Sequence, residues 1–292
     1  ADVKAIMLIE DTPRYYSSIL PVLYKEIIAN TKKMINKSLN SSQKILHMRA
    51  RPKIILIKNY ENAIKFIKKY RYNLLGIISD VRYPYKKDTH YLSGIKLIQY
   101  IKNIESAIPI LLQTTEKETP EIAKKYSIKV IKKDSSILFK ELQNFMIQEL
   151  GFGEFEFRKK SGDVISSATN INELAENIRT VSDESLEFHS SKNHLSNWLS
   201  TRGEFDLARK FRKVRQTDFR TIKKKRKHFL KLLSTKTTQS TKARIVEFSK
   251  SINDFSHNFI QVGHGSLGGK ARGLAFANTL LKDKKFKSKH PE

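Results

Sequence analysis

Acidic, hydroxyl and basic side chains follow four short apolar segments of this sequence, at the point where each segment ends. Glu10 and Asp11 follow the first such segment, and Asp80 follows another. Thr114 and Lys133 come at the ends of two more. Carboxylates brought together repel one another unless a cation neutralises them, and Mg²⁺ is a cation that prefers oxygen ligands. With a hydroxyl and an ammonium group beside them, these residue types indicate a site that accepts a phosphoryl group.

The alternation of apolar and amphipathic segments predicts the elements that must position these residues. The predicted strands are Val3–Ile9, Lys53–Ile57, Leu74–Ser79, Ile108–Leu112 and Lys129–Ile131. The predicted helices are Ile19–Ile35, Tyr60–Tyr70, Ile95–Ile104, Glu121–Tyr126 and Ser135–Leu150. Apolar strands separated by helices favour a doubly wound α/β domain, in which a parallel sheet is covered on both faces. Ligands of such sheets bind beyond the carboxyl ends of the strands, where the polar residues fall. Any one acid there is more often a helix cap, but the combination favours a site.

A different pattern begins after residue 150, where Gly151-Phe152-Gly153 interrupts the last helix. We predict a domain over residues 1–150, a mainly helical connector over 151–258, and the start of a further domain over 259–292. Residues 154–157 alternate like a short strand. The predicted connector helices are Ile171–Thr180, Asp183–Ser200 and Phe205–Val214, and a linker is predicted from Ser234 to Lys242.

Composition limits the classes of protein to which the chain can belong. It has 292 residues, 39% of them apolar, which is enough to build folded cores. Cysteine is absent, which excludes disulfide scaffolds, thiol nucleophiles and cysteine-ligated zinc. The apolar runs are far shorter than the ~20 residues that a membrane-spanning helix needs. We therefore expect a soluble, cytoplasmic protein with no membrane partner.

The formal charge of +27 suggests nucleic-acid binding as an alternative function. Between Arg209 and Arg244 the only acid is Asp218, and residues 223–227 are all basic. Phosphate neutralisation by such a segment would supply affinity without sequence specificity. However, we find no helix-turn-helix pattern with a basic reading helix, and few aromatic residues for stacking on bases. Nucleic acid is therefore not the partner that we expect.

Two histidines in the connector could suggest metal binding or phosphorylation. His189 and His194 lie five residues apart, a spacing that does not place both on one helical face. This spacing disfavours a metal pair. A histidine on the polar stripe of a helix that makes hydrogen bonds is the more common case, and we predict that role for His189.

The residues that end the apolar segments resemble the receiver domain of two-component response regulators. The matching segments are Ile9–Pro13, Ile78–Pro84, Ile110–Thr115 and Val130–Lys133. The resemblance implies a flavodoxin-like five-stranded fold, Asp80 as the phosphorylated aspartate, and Glu10 and Asp11 as Mg²⁺ ligands with Asp80. It also implies that Thr114 is the switch hydroxyl and that Lys133 pairs with the phosphate. A histidine kinase or phosphotransfer protein is the implied partner, and pairing of two copies through helical faces is implied as well.

The sequence departs from the receiver pattern at two positions that bear on signalling. Val130 stands where receivers often carry the aromatic residue that moves with the switch threonine, and Asp134 replaces the usual proline after the lysine. Rotation of an aromatic ring is therefore not the output of this chain. A receiver that does not accept phosphate and docks a partner is a third alternative.

A glycine-rich segment near the end of the sequence carries a second resemblance. Leu267–Leu274 looks like the opening of the ATP-binding domain of phosphoenolpyruvate synthases and pyruvate phosphate dikinases. A bacterial group of such proteins carries a receiver-like domain ahead of the enzyme, and the chain resembles their N-terminal part. The fitting segments are Arg49–Lys53, Gly151–Gly153, Asn193–Leu199 and Gly263–Lys270. The resemblance implies that Lys270 belongs to an incomplete ATP site and that the chain regulates an attached phosphotransferase. By itself the chain is then not an enzyme.

Overall fold

The computed structural model describes residues 3–36, 44, 48, 51–86, 92–104, 107–116, 120–240, 245–247, 259–261 and 267–282. Its first part is built on a five-stranded parallel sheet, in which the strands are β1 (Ala5–Ile9), β2 (Lys53–Ile57), β3 (Leu74–Asp80), β4 (Ile110–Thr114) and β5 (Lys129–Lys132). Their order across the sheet is β2-β1-β3-β4-β5. This is the flavodoxin-like order of a doubly wound fold, so the predicted fold class is confirmed.

Helices cover both faces of the sheet. They are α1 (Pro13–Asn36), α2 (Tyr60–Tyr70), α3 (Ser93–Ile104), α4 (Glu121–Lys125) and α5 (Leu138–Gln148). The buried side chains of α1 and α5 pack with Leu8, Ile78 and Leu111 on one face. Those of α2, α3 and α4 pack with the side chains that point to the other face. Because the sheet is buried on both sides, its strands are almost entirely apolar.

Element boundaries differ from the sequence predictions by a few residues in most cases. The largest difference is the start of α1, which we predicted at Ile19 and which lies at Pro13. A proline suits the first turn of a helix because its missing N–H would have no partner there. The apolar periodicity of α1 begins only at Ile19, so the periodicity alone placed its start too late.

The second part of the chain contains one hairpin and five helices among the described residues up to 240. Strands β6 (Phe155–Arg158) and β7 (Val164–Ala168) pair in antiparallel fashion. They are followed by α6 (Ile171–Thr180), α7 (Asp183–Ser191), α8 (His194–Thr201), α9 (Phe205–Lys213) and α10 (Ile222–Ser240). A separate core forms here around the fully buried Trp198. Strand β7 was not expected from the sequence.

Two sequence predictions in this part were wrong. The single helix predicted over Asp183–Ser200 is divided into α7 and α8 because Asn193 adopts a left-handed conformation with φ of 60°. The linker predicted from Ser234 is helical as far as Ser240. Further along, β8 (Ile245–Glu247) pairs with β9 (Phe259–Gln261) in parallel, and α11 spans Gly269–Lys282.

The helical part packs against the end of the sheet opposite to Asp80. Asn197 donates hydrogen bonds to the carbonyl oxygens of Leu75 and Glu149, at 3.3 and 3.0 Å. Asn30 of α1 donates to the carbonyl oxygen of Thr201 at 2.8 Å. Gly151 joins the two parts with φ of +81°, and a Cβ atom there would collide with the backbone of Trp198. The two parts are therefore held together by buried polar contacts at the amino end of β3.

No helix within the described ranges combines the length and the apolar character that crossing a bilayer requires.

Candidate functional site

The acidic pocket lies at the carboxyl end of the sheet. Glu10 is the residue after β1, and its backbone N–H donates to the carbonyl oxygen of Ile57 in β2. Asp80 is the last residue of β3. Since Ile9 pairs with Ser79 across the parallel strands, Glu10 and Asp80 are neighbours on the same face of the sheet. Strand geometry thus brings together carboxylates that are 70 residues apart in the sequence.

Lys133 bridges the two carboxylates. Its Nζ atom lies 2.6 Å from Glu10 Oε2 and 2.6 Å from Asp80 Oδ2. The side chains of Glu10, Lys133 and Asp80 are 0%, 3% and 12% exposed. The remaining oxygens are engaged by the backbone: Thr12 N–H donates to Glu10 Oε1 at 3.1 Å, and Val81 N–H donates to Asp80 Oδ1 at 2.7 Å. The ring of Tyr15 lies against the ammonium, 4.2 Å from its centroid.

Burial controls the acidity of this pocket. It raises the pKa of Glu10, and the nearby charge of Asp80 raises it further, against the hydrogen bond from Lys133. Burial also raises the pKa of Asp80, against the attraction of Lys133. One ammonium therefore does not compensate two buried carboxylates, and a third carboxylate, Asp11, lies beside them.

The donor set of the pocket fits a magnesium ion. Glu10, Asp11 and Asp80 each offer an oxygen, and these oxygens lie within 4.8 Å of one another. Oxygens on opposite sides of an octahedral Mg²⁺ are about 4.2 Å apart, so small side-chain rotations close the difference. Hard carboxylate oxygens and an excess of negative charge are the properties that such an ion requires.

Thr114 ends β4 next to the pocket, but its hydroxyl is engaged elsewhere. Thr114 Oγ1 accepts a hydrogen bond from the backbone N–H of Glu116 at 2.9 Å. The carboxylate of Glu116 in turn pairs with Arg82, just after β3, at 2.6 Å. The structure thus gathers Glu10, Asp11, Asp80 and Lys133 in the pocket, and it places the hydroxyl of Thr114 in the adjoining turn.

Gly94, near the start of α3, is a further residue that the site requires. A Cβ atom at Gly94 would collide with the carbonyl oxygen of Asp80. Gly94 N–H also donates to the carbonyl oxygen of Val81 at 3.0 Å. The close approach of α3 to the end of β3 therefore depends on a residue without a side chain. This role was not predicted from the sequence, since a glycine beside a helix start has no distinctive pattern.

A second buried polar cluster joins the two parts of the chain, far from the pocket along the strands. His194 Nε2 lies 2.8 Å from the carboxylate of Glu149, and His194 Nδ1 lies 3.0 Å from His189 Nδ1. His189 Nε2 accepts a hydrogen bond from the backbone N–H of Arg158 at 2.8 Å. Both rings are 1% exposed. We call Glu149, His194, His189 and the Arg158 N–H the histidine chain.

The contacts of the histidine chain fix the protons on both rings. His189 accepts at Nε2, so its one proton is at Nδ1 and points to His194. His194 accepts there and donates its own proton from Nε2 to Glu149. Burial lowers the pKa of His189 to about 2, which keeps this ring neutral. Burial of Glu149 opposes its ionisation, but the hydrogen bond from His194 and the nearby positive charges together lower the pKa of Glu149 to about 2.

The histidine chain agrees with the hydrogen-bonding role predicted for His189. The two histidines lie on different helices, whereas the sequence predicted one helix that contains both. All four ring nitrogens face a partner, so none is left to ligate a metal.

Lys270, the predicted ATP-site residue, is exposed in the first turn of α11. It lies apart from the pocket in the sequence and forms no described contact with it. Residues 262–266 of the glycine-rich segment, and Arg49 and Ala50 of an earlier one, lie outside the described residues.

No known protein family matches the sequence, and no curated protein does. Solved structures with a similar fold include the Mn²⁺-bound form of response regulator Rcp1, which is 17% identical over 49% of this chain and 91% of that one, with a TM-score of 0.30. Another is the non-phosphorylated receiver domain of the stress response regulator RcsB from Escherichia coli, at 17% identity over 50% and 94%, with a TM-score of 0.30. A third is the receiver domain of the histidine kinase CKI1 from Arabidopsis thaliana, complexed with Mg²⁺ and BeF3⁻, at 11% identity over 48% and 90%, with a TM-score of 0.28.

Proposed function

We propose that this chain is a signal-receiver module that accepts a phosphoryl group on Asp80. The observation that carries the proposal is the bridge that Lys133 forms, at 2.6 Å, to each of two buried carboxylates. A lysine at this position holds Asp80 ready and can then pair with the oxygens of a phosphoryl group. The flavodoxin-like sheet supports the proposal, since it opens its ligand site at this edge.

In the proposed step, a carboxylate oxygen of Asp80 attacks the phosphorus atom of the donor. An O–P bond forms, the bond from phosphorus to the donor breaks, and the donor atom leaves with the electron pair of that bond. With a phosphohistidine of a kinase or phosphotransfer protein as donor, the leaving group is an imidazole nitrogen. Lys133 balances charge on the transferred group, and the Val81 N–H holds the carboxylate in place.

Glu10, Asp11 and Asp80 would hold Mg²⁺ in this pocket. The bound ion would neutralise charge on the phosphoryl oxygens as they approach the carboxylates. The chain itself holds the three carboxyl groups close together. This proximity and burial disfavour their charged forms, as the raised pKa values of Glu10 and Asp80 indicate.

Labelling by a small phosphodonor tests the proposal. We expect wild-type chain incubated with acetyl phosphate and Mg²⁺ to gain the mass of one phosphoryl group. Asp80→Ala should remain unlabelled, and removal of Mg²⁺ by chelation should prevent labelling of the wild type. Asp163→Ala, which removes an exposed aspartate from the β6–β7 hairpin, is the matched control and should be labelled normally.

Labelling that persists in Asp80→Ala would overturn the assignment of the acceptor. A wild-type chain that is never labelled, yet folds, would favour the alternative of a receiver that only docks a partner.

The wider proposal is that the module regulates an attached phosphoenolpyruvate or pyruvate phosphotransferase. It rests on the resemblance of Leu267–Leu274, and Lys270 would then contribute to an ATP site completed by other residues. The test is to express the chain together with whatever follows it in its gene and to compare phosphotransferase activity of wild type and Asp80→Ala. Equal activity under phosphorylating conditions would remove the regulatory link.

Binding of nucleic acid by the helical part is a second candidate, favoured by one observation. Lys223, Lys227 and Lys231 are exposed at four-residue intervals and form a stripe along α10. Lys213 and Arg220 are also exposed nearby. Fluorescence anisotropy with single- and double-stranded oligonucleotides at about 0.1 M salt tests this candidate, since phosphate contacts weaken steeply with salt. Absence of salt-sensitive binding would dismiss it.

A further inference from the structure

Gln113 is a buried amide without a hydrogen-bond partner. The residue is 1% exposed, and neither its Oε1 nor its Nε2 atom has a partner within the part of the chain that the structure describes. A buried amide in this state is costly, and native proteins rarely keep one without a role. An apolar side chain would fit the surrounding strand better, since the three preceding residues of β4 are Ile110, Leu111 and Leu112.

The register of the sheet places Gln113 beside the acceptor aspartate. Gln113 is the residue paired with Asp80 across β3 and β4, and its carbonyl oxygen accepts the N–H of Val81 at 3.0 Å. Cα atoms of paired residues in adjacent strands are about 4.8 Å apart. The glutamine side chain therefore starts within reach of whatever is attached to the carboxylate of Asp80.

The alternation of side chains places Gln113 on the same face as the pocket. Leu111 packs with α1 and α5, whereas Ile110 and Leu112 pack on the opposite face. Two residues after Leu111, Gln113 returns to the α1 and α5 face. Asp80 lies two residues after Ile78, which packs on that same face. Gln113 and Asp80 are thus side by side in one row of the sheet.

We propose that Gln113 is a further binding residue of the acceptor site, whose side-chain amide donates a hydrogen bond to the phosphoryl group carried by Asp80. This inference rests on the proposed function. The amide is kept unpartnered in the free chain and gains its partner when the phosphoryl group arrives. The interaction stabilises the loaded state over the free state.

The proposal predicts opposite effects of one substitution on stability and on ligand binding. Gln113→Leu removes a buried unpartnered amide and keeps most of the volume, so the thermal midpoint of the free chain should stay equal or rise. Beryllofluoride, which mimics a phosphoryl group on aspartate, should bind the variant about 10-fold more weakly, the loss expected for one hydrogen bond to a charged group. Affinity for Mg²⁺ alone should not change, since Gln113 is not among the proposed metal ligands.

Isothermal titration calorimetry on the full 292-residue chain measures both affinities, first for MgCl₂ and then for beryllofluoride at saturating Mg²⁺. Gln113→Met is a second apolar variant, should the branched leucine disturb packing. Gln143→Leu is the matched control, because Gln143 is exposed on α5 and bonds to Glu26. The control should bind both ligands as the wild type does.

Three results would overturn the proposal, and they can be told apart. If both Gln113 variants bind beryllofluoride as tightly as the wild type, the amide does not touch the phosphoryl group. If they lose Mg²⁺ and beryllofluoride affinity in parallel, or melt well below the wild type, Gln113 has only a structural role. If the wild type itself binds no beryllofluoride in the presence of Mg²⁺, the proposed function fails and this inference falls with it.

Discussion

The acidic pocket and the histidine chain are both buried polar clusters, but they differ in how far their charges and hydrogen bonds are compensated. In the pocket, Glu10 and Asp80 share the ammonium of Lys133, and Asp11 lies beside them. In the histidine chain, all four ring nitrogens have a partner, from the carboxylate of Glu149 to the backbone N–H of Arg158. The pocket carries more negative charge than its own residues neutralise, whereas the histidine chain needs nothing from outside.

The difference indicates which cluster binds a ligand and which holds the molecule together. A cluster left with uncompensated charge lowers stability until a cation or another ligand arrives, so it is suited to chemistry. A fully paired cluster specifies one arrangement of the groups that form it. The histidine chain connects α5, β6, α7 and α8, which is where the two parts of the protein meet.

The largest effect is expected when the histidine chain is broken. His194→Leu leaves the carboxylate of Glu149 and the Nδ1–H of His189 without partners, so the free energy of unfolding should fall by about 3 kcal/mol. Urea denaturation at pH 7, followed by circular dichroism, measures this loss. His228→Leu is the control, since the His228 ring is half-buried and packs on Phe219, and that change should be much smaller. Equal losses in the two variants would contradict the special role of the histidine chain.

The next effect is a loss of stability in acid. The pKa of His189 is about 2 in the folded chain and 6.5 when unperturbed, so the folded state resists protonation. The stability that this provides is complete above pH 6.5 and is lost as the pH falls towards 2. Between pH 7 and pH 5 the contribution of His189 should fall by about 2 kcal/mol. Comparison of urea denaturation at the two pH values, for wild type and His189→Gln, isolates it.

His189→Gln should flatten this pH dependence because glutamine cannot take up the proton. His228→Gln should keep the wild-type dependence. If the free energy of unfolding falls by the same amount between pH 7 and pH 5 in the wild type and in His189→Gln, then His189 is not held neutral.

The smallest effect is a gain in stability when the pocket loses a charge. The pKa values of Glu10 and Asp80 are raised, so their charged forms destabilise the fold as the pH rises through those values. Asp80→Asn should therefore raise the free energy of unfolding at pH 7 by about 1 kcal/mol in the absence of Mg²⁺. Asp163→Asn, at an exposed site, should leave it unchanged. A clear loss of stability in Asp80→Asn would mean that the charges of the pocket compensate one another, so that the pocket stabilises the fold as the histidine chain does.

The pocket was predictable from the sequence, and the histidine chain was not, for a geometric reason. The carboxyl ends of parallel strands meet at one edge, so residues that follow apolar runs, such as Asp80, can be placed together without coordinates. The histidine chain joins side chains of separate elements around residues 149, 158, 189 and 194, and no periodicity links them. The left-handed residue Asn193, which brings His194 to His189, was also hidden within a helical pattern.

Features that depend on strand register and packing, such as the roles of Gln113 and Gly94, were not predicted from the sequence. Gln113 follows the predicted strand Ile108–Leu112, and no role was predicted for its side chain, although its pairing with Asp80 follows from the register. The role of Gly94 depends on how closely α3 approaches β3, which is a matter of packing. Strand β7 begins with Val164 and Ile165, which are exposed. Its pairing with β6 therefore identifies it better than its own sequence does.

Titration with Mg²⁺, followed by backbone amide chemical shifts, compares the two clusters in one experiment. We expect saturable shifts at Glu10, Asp11, Asp80 and their neighbours, with no change at Glu149, His189 or His194. Asp80→Asn should weaken this response, and Asp163→Asn should not. Absence of shifts around Asp80 at millimolar Mg²⁺, or shifts of equal size in the histidine chain, would contradict the contrast between the acidic pocket and the histidine chain.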